Sequence, residues 1–145
     1  MSEITFDKQH LLVDYLRKDH ETFIKLNPIL SSKFFEPRLQ SAIKFIQSYF
    51  NDYKSLPSAQ QLQAETGLVF DVNSPQLTSQ ERKYAEHEIE SFCKQKAMEH
   101  AILSSVELIQ EGKYGEVEKL VRDAVTMSMQ RSLGTDYFED PEARL

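Results

Sequence analysis

The sequence predicts an all-α protein: a small globular helical bundle followed by a long antiparallel helical hairpin. Apolar residues return again and again at i, i+3, i+4 and i+7, the spacing that gathers side chains on one face of a helix. Two segments open on capping boxes, Ser58 with Gln61 and Thr78 with Glu81, in which the two residues satisfy each other's backbone N–H groups. The only strand-like run is Leu68-Val-Phe70.

Taken in order, Thr5 is a fitting cap for a first helix bearing Leu11, Leu12, Tyr15 and Leu16. Asp19 can cap a second with Phe23, Ile24 and Leu26, which stops at Asn27-Pro28. Pro37 suits the first position of a third helix, because its missing N–H has no partner there anyway. That helix carries Leu39, Ala42, Ile43, Ile46, Tyr49, Phe50 and Tyr53 on one face. A short turn holding Pro57 leads to a fourth helix from the Ser58 cap, and Gly67 sits where a C′ glycine would close it. Leu68 to Leu77 reads as loop, with turn chemistry at Asp71-Val-Asn-Ser-Pro75.

The capping box at Thr78 opens an unbroken helical stretch to about Glu111, roughly 33 residues and about 50 Å long. A turn is expected at Gly112-Lys-Tyr-Gly115, then a shorter helix with Val117, Leu120, Val121, Ala124 and Val125 on one face. The long arm has two apolar lines. Tyr84, Ala85, Ile89, Phe92, Met98, Ile102, Leu103, Val106 and Ile109 spread over a broad face, and Ala97, Ala101, Ser104 and Leu108 form a narrower one. One short partner helix cannot cover both, so either the bundle core wraps both sides or one line is a subunit interface.

Composition narrows the function classes. With 145 residues, 40% of them hydrophobic and 10% aromatic, the chain can build one domain with a real core. A formal net charge of −6 and pI ≈ 5.2 have the wrong sign for a free-standing duplex binder that works by neutralising phosphates. A single cysteine, Cys93, allows no internal disulfide, and Met-Ser-Glu-Ile-Thr lacks the basic and apolar regions of a signal peptide, so a reducing, cytoplasmic compartment is expected. No apolar run reaches the ~18 residues of a membrane span.

Chemistry is hard to find. The glycines, Gly67, Gly112, Gly115 and Gly134, never form the phosphate-cradling G-x-x-x-x-G-K-[ST] loop, since Gly112-Lys113 is followed by Tyr114. His10, His20, His87 and His100 share no short ligand spacing, so no metal or cofactor is expected in this chain. Cys93 reads as a small, partly buried helix residue. Glu86, Glu88 and Glu90 read as a solvated helix surface, as do the nearby basic residues Arg82, Lys83, Lys94 and Lys96. The helix after Ser58 carries no Arg or Lys, which argues against a DNA-reading helix-turn-helix.

The order Phe34-Phe35-Glu36-Pro37, long helix, Tyr53-x-x-x-Pro57-Ser58, short helix resembles the N-terminal domain of DnaB-type replicative DNA helicases, most closely the version in tailed phages of the T-even kind. The resemblance runs from His10 through Asp140-Pro-Glu-Ala-Arg144. Pro37-Arg38-Leu39 departs from the histidine and arginine pair of many bacterial members, which sets the chain further from that branch than from the phage branch.

The resemblance implies a non-catalytic domain of a hexameric ring helicase with residues 1–77 as head, 78–131 as hairpin and 132–145 as linker toward a C-terminal ATPase domain. Leu11, Phe34, Phe35, Ile43, Ile46 and Phe50 would be head core. Ala97, Ala101, Leu108, Val117 and Val121 would be hairpin packing or pairing positions, and the linker would hold Tyr137, Phe138, Pro141 and Arg144. Implied partners are other copies of the chain, paired through the hairpin, then primase and a helicase loader. ATP, Mg²⁺, DNA contact and 5′ to 3′ unwinding would belong to the C-terminal part. The rival expectation is a stand-alone helical adaptor or helicase loader.

Overall fold

A computed structural model describes residues 5–129, and the expected linker residues Tyr137, Phe138, Pro141 and Arg144 lie outside that range. The described residues form six α-helices and two 3₁₀ turns and contain no strand, which establishes the all-α class. Contacts divide the chain into two compact units, one ending at Ile89 and the other beginning at Glu90.

In the first unit, α1 (Phe6–Lys18) starts where Thr5 Oγ1 accepts from the Lys8 N–H at 3.2 Å. Asp7 in its first turn and Arg17 and Lys18 in its last turn complement the helix dipole. Helix α2 (His20–Leu26) is capped by Asp19 and runs into a 3₁₀ turn at Asn27–Ile29 that contains Pro28. A second 3₁₀ turn, Ser32–Phe34, leads to α3 (Pro37–Tyr53), which has Glu36 as cap and Pro37 in its first turn. Helix α3 ends on Lys54 in the left-handed conformation, φ 59°, a place that glycine usually takes. Helix α4 (Ala59–Thr66) shows both halves of the Ser58–Gln61 box, at 3.0 and 2.8 Å, and closes on Gly67 at φ +78°.

Leu12, Val13, Leu16, Phe23, Leu26, Leu39, Ala42, Ile43, Ile46 and Leu62 are fully buried and make the core of this unit. Removing each such large aliphatic or aromatic side chain from water stabilises the fold by ~1.5–3 kcal/mol. Phe35, Ile43 and Ile46 take the core places expected of them. Leu11 does not. It is 38% exposed, and its neighbour Leu12 goes inward instead, because the apolar pair Leu11-Leu12 fits either phase of the helical pattern. Phe34 and Phe50 are half-buried, although Phe50 still meets Phe23 with ring centroids 5.0 Å apart.

No strand forms at Leu68 to Phe70. The connection is instead stitched to α1: His10 Nε2 lies 3.1 Å from the Val69 carbonyl, and Arg17 Nη2 donates to the Asp71 carbonyl and to Ser74 Oγ. Phe70 and Leu77 are buried, so this segment supplies core at both ends.

Helix α5 (Ser79–Gln110) begins at the second capping box, with Thr78 N to Glu81 Oε1 at 2.9 Å and Glu81 N to Thr78 Oγ1 at 3.0 Å. Its first part is pinned within the first unit by ion pairs. Arg82 reaches Asp19 at 2.9 Å, Lys25 reaches Glu86 at 3.3 Å and Lys8 reaches Glu88 at 2.6 Å. The Glu88 hydrogen bond holds the Lys8 ammonium above the ordinary lysine range. Glu86 and Glu90 are therefore not a solvated surface. Both are buried, since their i, i+4 spacing keeps them on one side of α5, and Glu90 faces Lys94 at 3.6 Å.

In the second unit, a turn with Gly112 at φ +76° joins α5 to α6 (Tyr114–Met129). The expected turn over Gly112 to Gly115 is shorter than the glycines suggest. One left-handed residue is enough to end α5, so Tyr114 and Gly115 already belong to α6.

Candidate assembly surface

Helix α5 between Ala97 and Ile109 has two faces with opposite character. Ala101 and Ser105 are buried, and Ala97 and Leu108 are half-buried; at 100° per residue these four fall within about 80° of arc. On α6, Ala124 is buried and Val117 and Leu120 are half-buried. Leu108 and Leu120 line a common groove of about 300 Å³ with Glu116, Lys119 and Asp123. Small residues at Ala97 and Ala101 fit the inward side of a helix packed closely on a neighbour.

The other face is open. Ile102 is 57% exposed, Leu103 68%, and Val106 and Ile109 49% each. Ile102, Val106 and Ile109 lie within about 60° of one another and Leu103 about 60° further round, a continuous apolar strip about 10 Å long. Val121 and Val125, each 40% exposed, add apolar surface on α6. Single exposed apolar residues are ordinary, but a row at helical spacing is the signature of a surface that packs on something.

The five expected hairpin positions differ in burial. Ala101 is buried, Ala97, Leu108 and Val117 are half-buried, and Val121 is exposed. Sequence reasoning placed Ile102, Leu103, Val106 and Ile109 on the broad apolar face but did not single them out as a site. Their signal is the broad apolar line of the long arm. What the periodicity lacked was which line faces inward.

The strip carries no ionisable chemistry of its own. Cys93, on the same helix, is fully buried, and burial together with Glu90 pushes its thiol up to about 12, the opposite of an activated thiolate. Among the described residues no group of three or more His, Cys, Asp or Glu side chains is placed to hold a metal ion. No helix among them is long and apolar enough to cross a membrane.

No family model matches the chain, and no solved structure matches it. The chain spans about a third of the length of the curated relative it matches, 33%. The resemblance carried by the Phe34 to Gly67 segment is met again by direct comparison over almost the whole sequence. Across 158 aligned residues, which take in 92% of its own length, the chain is 24% identical to a DnaB-like replicative helicase of Enterobacteria phage T4.

Proposed function

We propose that this chain is the N-terminal assembly and partner-docking domain of a DnaB-like replicative helicase. It is non-catalytic by itself. Its second unit forms an antiparallel hairpin whose exposed strip, Ile102, Leu103, Val106 and Ile109, packs on another copy, and the resulting collar supports ring formation and receives primase. ATP hydrolysis, Mg²⁺ binding and 5′ to 3′ unwinding belong to a C-terminal motor domain, and most DNA contact with it.

The observation that carries this reading is the apolar strip on α5, within a chain that aligns nearly end to end with part of a replicative helicase. Weak pairing suffices in such a design. When neighbouring motors are already held in a ring, the local concentration of the collars is high and a modest affinity closes them.

Sedimentation equilibrium over a concentration series tests it, comparing the native chain with Leu103→Glu. Leu103 is the most exposed member of the strip, so the substitution leaves the inward face intact; Leu108, which shares a groove with Leu120, would be a less clean choice. The native chain should associate reversibly. Placing a carboxylate where a leucine was to be buried should weaken association about 10- to 100-fold. A native chain that stays monomeric throughout, or a variant that associates equally well, overturns the assembly reading.

A further inference from the structure

A second surface, on the first unit, is independent of the strip. Asp7, His10, Leu11 and Asp14 stand at i, i+3, i+4 and i+7 of α1, so one face of that helix carries them all. The extended segment Val69-Phe70-Asp71 runs beside this face, tied to it by the 3.1 Å contact of His10 Nε2 with the Val69 carbonyl and by His10 stacked on Phe70, centroids 4.5 Å apart. Between helix and segment lies a groove of about 310 Å³ lined by these seven residues.

The lining mixes apolar and acidic side chains. Leu11 and Val69, 38% and 65% exposed, present aliphatic surface beside the buried Phe70 ring. Three aspartates border it, Asp7, Asp14 and Asp71, and no lysine or arginine lines it. Asp14 is engaged with Arg17 and Lys18, at 2.8 and 3.4 Å; Asp7 and Asp71 are exposed, with Asp7 within electrostatic reach of Arg38 and one oxygen of Asp71 accepting the Asn73 N–H at 2.9 Å. Exposed carboxylates beside apolar side chains repel nucleic acid and favour a cation that also brings hydrocarbon.

We propose that this groove docks a short segment of a partner protein in which a bulky apolar side chain is flanked by lysine or arginine. The apolar side chain sits against Leu11 and Val69. The flanking cations pair with Asp7 and Asp71. Because the groove is built from α1 and the Leu68 to Leu77 segment alone, a single copy of the chain completes it.

The test is an NMR titration of the isotope-labelled full chain with the capped peptide Lys-Leu-Lys-Phe-Lys, using Glu-Leu-Glu-Phe-Glu and Lys-Ser-Lys-Ser-Lys as controls. Saturable shifts confined to the backbone amides of Leu11, Val69, Phe70 and their neighbours are expected with the first peptide alone. The double variant Asp7→Lys, Asp71→Lys should bind it at least about tenfold more weakly, since two attractions become repulsions. Leu11→Ser, an exposed change, should weaken binding without altering the amide spectrum elsewhere. Equal binding of either control, shifts spread over the surface or centred on Ile102 to Ile109, or a double variant that binds as well as the native chain overturns the proposal.

Discussion

Replacing Asp19 should reveal how the start of α5 is fastened to α1 and α2. Its carboxylate caps α2 by accepting from the Thr22 N–H at 3.1 Å, takes the Thr22 hydroxyl at 2.5 Å, and receives Arg82 Nε and Nη2 at 2.9 and 3.1 Å. Loss of the cap costs about 1 kcal/mol. Leaving the buried Thr22 hydroxyl without its acceptor costs about 1 kcal/mol more. Asp19→Ala should therefore destabilise by about 2 kcal/mol or more, and Asp19→Asn, which keeps a capping oxygen, by less than half of that. Burial alone would raise the Asp19 pKa, but the Arg82 hydrogen bond and the two from Thr22 outweigh it and hold the carboxyl below the usual range. A group with a depressed folded pKa contributes stability that is complete above its unfolded pKa, about 3.9, and is lost as pH falls through the folded value. Urea unfolding followed by circular dichroism at pH 7 and pH 3 should accordingly show the gap between native and Asp19→Asn narrowing in acid. Two substitutions of equal cost, or a gap that does not change with pH, would refute the assignment of Asp19 as a charged cap.

Two further outcomes follow from single residues. Lys54→Gly should stabilise by about 0.5–1 kcal/mol in urea unfolding, because glycine removes the strain of the left-handed φ of 59° that ends α3. Cys93 should not react with a thiol reagent in the native protein at pH 8 and should react fully once denatured, since it is buried and its pKa, about 12, keeps it protonated.

Capping chemistry made much of the fold legible. Ser58 with Gln61 and Thr78 with Glu81 mark helix starts through contacts that span only three residues, so they are written locally and the structure repeats them. Long-range choices were less legible. Nothing in Leu11-Leu12 says which leucine faces α2 and α3, and the sequence pattern that made Ser104 part of the narrow line gives way to a buried Ser105, whose hydroxyl donates to the Ala101 carbonyl at 2.6 Å. Glu86 looked solvated because its partner, Lys25, is remote in sequence. The candidate surface shows the same limit. Two apolar faces on α5 are readable from periodicity, but choosing the open one requires knowing what the other is pressed against.

The connection between α4 and α5 places its own limits on change of length. It looks like a spacer, yet Phe70 near one end and Leu77 at the other are both anchored in the core, and Arg17 grips the Asp71 carbonyl and Ser74 between them. Deleting a residue would pull one anchor from its seat, while an inserted residue has somewhere to go only around Val72, Asn73, Pro75 and Gln76, which are exposed. Related chains should therefore vary in length at that crest and keep an apolar residue on either side of it, and a tag or a fused domain would be tolerated at the same place.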